Sequence, residues 1–120
     1  MTVIIDHNPR CSKSRATLAL LREQRIEPEI VHYLDDPPGP ERLRDLAGML
    51  AVAPAEMVRT GEKTWKELGL DITEVPDDEL FRLMSEHPML IQRPIVVADS
   101  RARIGRPPEA VLEILSRSTP

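Results

Sequence analysis

The sequence predicts an α/β fold in which strands at both ends of the chain enclose a helical middle. Three observations carry that expectation. A β-branched run, a helical stripe and a second β-rich run follow one another up to Leu34. The cluster Asp36-Pro37-Pro38-Gly39-Pro40 then breaks the chain, and helical spacing takes over. After Arg93 the pattern returns to two short strands and a closing helix.

Each element has its own warrant. Val3 to Asp6 reads as a short buried strand, because Val3, Ile4 and Ile5 are β-branched. The helix from Ser12 to Arg25 sets Leu18 and Leu21 on one stripe, with Ala16 and Leu20 beside it. Glu29 to Leu34 reads as a second strand, supplied by Ile30, Val31 and Tyr33. A strand–helix–strand unit favours a parallel pair. In the middle, Glu41 to Leu50 carries Leu43, Leu46, Ala47 and Leu50 at helical spacing. Pro54 to Val58 reads as a short helix and Thr64 to Leu68 as another turn. Asp77-Asp78-Glu79 opens a further helix with acids in its first turn; Leu80, Phe81 and Met84 face inward, and it stops before Pro88. Pro94 to Ala98 reads as a buried strand, Asp99-Ser100 as a turn and Ala102 to Gly105 as an edge strand. Pro107-Pro108-Glu109 starts the last helix, where a missing proline N–H costs little. Val111, Leu112, Ile114 and Leu115 face inward.

The order is β-α-β, a helical insertion at about residues 37–89, then β-β-α. By analogy this is the element order of a thioredoxin-like fold with helices inserted in its middle. One domain over residues 1–120 and a mixed four-stranded sheet are expected.

Composition narrows the function. The chain has 120 residues and 41% hydrophobic content, enough for one real core. Its net charge is −4 with no basic block, which argues against nucleic acid as a partner. No apolar stretch approaches the ~18 residues of a membrane span, and no signal-peptide pattern opens the chain. A single cysteine cannot form an internal disulfide and fits a reducing cytosol, so a cytoplasmic location is expected. Any covalent redox cycle must then borrow its second thiol from another molecule. The three histidines are scattered without ligand spacing, so no metal is expected. A monomer is the simplest expectation.

Cys11 stands where a turn opens into a helix, facing unpaired N–H groups and the positive end of the helix dipole. Arg10, Lys13 and Arg15 are close in sequence, and His7 adds a titratable neighbour. Each favours the thiolate, the nucleophilic form. The competing reading is a small buried hydrophobe. Ser14 completes a broken C-x-x-C; it can bond the helix start, donate to the thiolate, or do both. His7 reads either as a general acid or charge partner, or as a strand-end histidine bonded to backbone. Arg59, Arg93 and Arg106 each lie at the end of an element, where planar donors could meet a tetrahedral oxyanion. Taken singly, each arginine reads as a solvated surface residue; their joint placement with Cys11 is what singles them out.

The run from His7 to Arg15 resembles the active-site turn of the glutaredoxin-coupled arsenate reductase family, the ArsC-like proteins. So do His32-Tyr33-Leu34 with Pro37-Pro38, Val58-Arg59-Thr60, Glu67-Leu68-Gly69-Leu70, His87-Pro88, Arg93-Pro94-Ile95-Val96-Val97 and Gly105-Arg106-Pro107-Pro108-Glu109. The resemblance covers essentially the whole chain. It implies a thioredoxin-like fold, Cys11 as nucleophile, and Arg59, Arg93 and Arg106 as ligands of arsenate and arsenite. It also implies that His7 helps ionise the thiol, that Ser14 hydrogen-bonds it, and that Pro94 is cis. The implied activity is reduction of arsenate to arsenite through a covalent Cys11 adduct, with glutathione as co-substrate, glutaredoxin as partner and no bound cofactor. The rivals are a glutathione-dependent thiol oxidoreductase acting on another substrate, and an Spx-like non-catalytic regulator that binds a protein partner.

Overall fold

The computed structural model describes residues 2–115. The described residues divide into two compact units, one of residues 2–33 with 93–115 and one of residues 34–92.

The first unit holds the sheet. Its strands are β1 (Val3–Asp6), β2 (Glu29–Val31), β3 (Ile95–Ala98) and β4 (Arg101–Ile104), in spatial order β2-β1-β3-β4. β1 runs parallel to β2, with Ile5 opposite Ile30, and antiparallel to β3, with Ile5 opposite Val96. β3 and β4 form an antiparallel hairpin with Val97 opposite Ala102. The sheet is thus mixed and four-stranded, in the thioredoxin-like arrangement. Side chains alternate across a strand. Val3 and Ile5 of β1 and Val96 and Ala98 of β3 therefore share one core with Leu21, Val111 and Ile114. Burying a Leu or Ile of this kind contributes about 1.5–3 kcal/mol. All four residues of β3 are buried, as suits a central strand.

Helix α1 (Ser12–Glu23) crosses from β1 to β2 and ends two residues before the Arg25 expected from its pattern. Arg25 has φ 62, its N–H bonds the Arg22 carbonyl, and Ile26 N–H returns to the Leu21 carbonyl. That is a left-handed helix stop built without glycine, so no sequence signal marked it. β2 is shorter than expected, because pairing with β1 ends at Val31 and Tyr33 is buried outside any strand. The last helix also differs from expectation. Pro107 stays extended at φ −72, ψ 165, a 3-10 turn covers Pro108–Val111, and an α-helical turn occupies Leu112–Leu115. A residue before proline is pushed out of the helical region, so Pro107 cannot open the helix that Pro108 begins. The expected inward faces of Val111 and Ile114 hold, and Leu115 packs against the same core.

The second unit is helical: α2 (Pro40–Leu50), α3 (Lys63–Leu68) and α4 (Asp77–Glu86), with 3-10 turns at Pro54–Met57 and Pro88–Leu90. The latter turn was not expected from sequence. α2 buries Leu43, Leu46, Ala47 and Leu50; α4 buries Leu80, Phe81, Leu83 and Met84. Arg44 of α2 lies 5.3 Å from the Phe81 ring centroid and bonds Asp78 at 2.6 Å, so the two helices are tied by charge as well as by apolar contact. Val58 bridges Ile91, and Arg59 N–H donates to the Leu90 carbonyl at 2.7 Å. Among the described residues, no helix is long and apolar enough to cross a membrane.

Candidate active site

The turn between β1 and α1 is built around Asn8. Its Oδ1 accepts the Arg10 N–H at 3.0 Å, and its carbonyl accepts the Cys11 N–H at 3.0 Å. An asparagine side chain that mimics a backbone turn is a usual device at this kind of corner. Cys11 then takes the N-cap position of α1, extended at φ −94, ψ 124, with its carbonyl accepting the Arg15 N–H.

Cap residues normally offer an oxygen to the helix's orphan N–H groups. Here a sulfur stands in that place. Burial pushes the Cys11 thiol up, but the backbone N–H groups of Ser14 and Lys13, and the hydrogen bonding and charge of Arg93, outweigh it. The thiol is held below the ordinary cysteine range. Arg106 Nη2 reaches toward Sγ at 3.6 Å, and its Nε donates to the Arg93 carbonyl at 2.8 Å. The Arg93–Pro94 and Arg106–Pro107 peptide bonds are both cis.

The basic neighbours in sequence matter less than their number suggested. Arg10, Lys13 and Arg15 are exposed, and the Arg15 guanidinium is turned to the Pro9 carbonyl at 2.9 Å. Lys13 acts on the sulfur through its N–H. Arg93, remote in sequence, supplies the charge.

Ser14 is completely buried. Its Oγ lies 2.6 Å from His7 Nδ1 and accepts the Asn8 N–H at 3.0 Å. The hydroxyl is therefore engaged by His7 and Asn8, and it is the backbone N–H of Ser14 that acts on the sulfur. His7 is buried at the end of β1, with its N–H bonded to the Val31 carbonyl. Burial, then the charges of His32, Arg22 and Arg15, hold its imidazole below the ordinary histidine value of 6.5. A neutral ring is favoured, which suits a hydrogen-bond partner of Ser14 better than a standing positive charge.

The first unit thus gathers Cys11, Ser14, His7, Arg93 and Arg106 around one turn. Arg59 belongs to the second unit, where its Nε is 3.5 Å from Glu62 Oε2. Asn8, Thr17 and Gly105 were not singled out from sequence. The Asn8-Pro9 dipeptide carried a turn signal that pointed to the first; the packing of the other two had none. Among the described residues, no group of three or more His, Cys, Asp or Glu could hold a metal ion.

Residues 7–114 match the ArsC family. The chain is 48% identical over 116 residues to an arsenate reductase of Haemophilus influenzae, covering 96% of this chain and all of that one. It is 51% identical over 114 residues to an uncharacterised Escherichia coli protein, YfgD, covering 94% and 96% of the two chains. The solved structure of an arsenate reductase from Vibrio cholerae superposes with a TM-score of 0.92 at 51% identity, over 95% of this chain and 98% of that one. With nearly its whole length matched at such identity, the chain belongs to the ArsC family.

Proposed function

We propose that this protein is an arsenate reductase that takes its external thiols from glutathione and glutaredoxin. The observation that carries the reading is a single thiol at a helix N-terminus, held below the ordinary cysteine range, with two arginine side chains turned to it. Backbone N–H groups and arginines together favour a tetrahedral oxyanion beside the sulfur. A reductase of uncharged disulfides needs no such oxyanion setting, and a binding module needs no ionised thiol. The relatives named arsenate reductase support the same reading.

In this reading the Cys11 thiolate bonds to arsenic, and one arsenate oxygen leaves as water. Arg93 and Arg106 hold the remaining negative oxygens. Arg59 enters through the likeness of Val58-Arg59-Thr60 to the family motif. His7 and Ser14 fix the turn that presents the sulfur. Two external thiols then supply the electrons. As their sulfurs join in a disulfide, a second oxygen leaves as water, an electron pair stays on arsenic and As(V) becomes As(III). Water then replaces the Cys11 sulfur on arsenic, arsenite leaves and Cys11 returns to thiolate. The sum is arsenate plus two thiols giving arsenite, a disulfide and water. Glutathione supplies one thiol and glutaredoxin resolves the mixed disulfide, consistent with a chain that has no second cysteine.

Arsenate kinetics of Arg93→Ala and Arg59→Ala test the oxyanion role. Each variant should raise KM while keeping the wild-type circular dichroism spectrum. Wild-type kinetics in both variants would remove that role.

A further inference from the structure

Gly105 carries no functional group, yet no side chain fits where it sits. It is buried, directly after β4. A Cβ there would fall inside van der Waals contact of Thr17 Oγ1, 2.9 Å from Pro94 Cγ and 3.2 Å from Thr17 Cγ2. Neither neighbour yields freely. Thr17 is fully buried on α1, and its Oγ1 donates to the Lys13 carbonyl at 2.8 Å, which sets its rotamer. Pro94 is buried and its carbonyl accepts the Gly105 N–H at 2.9 Å.

The next residue is Arg106, whose guanidinium spans the Arg93 carbonyl and the Cys11 sulfur. Consecutive Cα atoms are a fixed ~3.8 Å apart, so a shift at residue 105 is passed on to residue 106. Restoring ordinary carbon–carbon contact of ~3.5 Å around a new methyl requires movement on the order of half an ångström or more. The Arg106 contact with sulfur, at 3.6 Å, has little room to lengthen.

We propose that Gly105 is a positioning residue: its missing Cβ lets the end of β4 seat against Thr17 and Pro94 closely enough for Arg106 to meet the Cys11 sulfur. The proposal rests on the reading of Arg106 as a partner of the thiolate and the oxyanion. It assigns a second role to Thr17, whose side chain sets how near α1 and the Gly105-Arg106 segment approach.

The test is a cycle of variants of the full chain: Gly105→Ala, Thr17→Ala, Arg106→Ala and their combinations. The Cys11 thiol pKa is read from the pH dependence of alkylation by iodoacetamide, and kcat/KM is read with arsenate. Gly105→Ala should raise the thiol pKa and lower kcat/KM about tenfold to a hundredfold, the scale of a small misplacement. Adding Thr17→Ala should recover part of both, since the contact with Pro94 Cγ at 2.9 Å stays. In the Arg106→Ala background, Gly105→Ala should change neither further. An undiminished effect in that background, or no recovery with Thr17→Ala, overturns the proposal. So does an unchanged Gly105→Ala protein when Arg106→Ala alone shifts the thiol. If Arg106→Ala shifts neither quantity, the reading of Arg106 falls, and the proposal with it. Should Gly105→Ala alone not fold, the Gly105→Ala/Thr17→Ala pair, with and without Arg106, carries the same comparison.

Discussion

Replacing Ser14 by alanine separates two ways in which this residue could serve Cys11. In the structure its hydroxyl is fully buried and holds two partners, His7 Nδ1 at 2.6 Å and the Asn8 N–H at 3.0 Å. Both partners are buried as well. Removing the hydroxyl leaves two buried polar groups without a partner, and each such loss costs about 1–3 kcal/mol. The total should be about 2–6 kcal/mol, a substantial share of the roughly 5–15 kcal/mol that holds a domain folded. The sulfur, by contrast, is served by the Ser14 backbone N–H, which alanine keeps. Ser14→Ala should therefore unfold at lower urea concentration, while its iodoacetamide alkylation profile against pH stays close to wild type. The reasoning fails if stability changes by less than about 0.5 kcal/mol, the range of an uninvolved surface substitution. It fails equally if the thiol reverts to ordinary behaviour while stability holds, since the hydroxyl would then be the thiolate's donor.

Two further predictions concern stability. His7 resists protonation in the folded state, while the unfolded chain takes up that proton near the ordinary value of 6.5. Its contribution is thus fully present above that value and is lost as pH falls below it. His7→Asn should flatten the acid-side decline in urea stability between about pH 7.5 and about pH 5, and an unchanged decline would contradict the burial argument. Ala51, which ends α2 in the left-handed region at φ 58, pays a conformational strain that glycine avoids. Ala51→Gly should raise stability by about 0.5–1 kcal/mol in urea titration, after glycine's own entropic cost is counted; a loss would show the strain to be relieved elsewhere.

Much of this architecture is legible in the residues. Val3-Ile4-Ile5 and Ile95-Val96-Val97 are strands because β-branched side chains suit a pleated surface, and both are strands in the structure. The inward stripes of α2 and α4 follow from helical spacing alone. What escaped the sequence is set by three-dimensional closure. The stop at Arg25 uses a left-handed arginine where glycine would have been the visible mark. The extended Pro107 reflects its proline neighbour more than its own helix-start preference. At the site, the sequence singled out Cys11 with Arg93 and Arg106, and overstated the part played by the cations nearest to it in the chain. The Arg15 guanidinium turns to the Pro9 carbonyl and Lys13 acts through its backbone N–H, while Arg93 and Arg106 arrive from the far end of the chain. The pairing of His7 with Ser14 depends on the shape of the intervening turn, which Asn8 folds and no periodicity reports.

The most direct test of the central claim is arsenite production from arsenate by the purified protein. The assay contains glutathione, glutaredoxin and an NADPH recycling system, with Cys11→Ser beside the wild type. The account predicts turnover by the wild type and none by the variant. Equal arsenite production by both, or none by a wild type whose Cys11 still ionises readily, would contradict it.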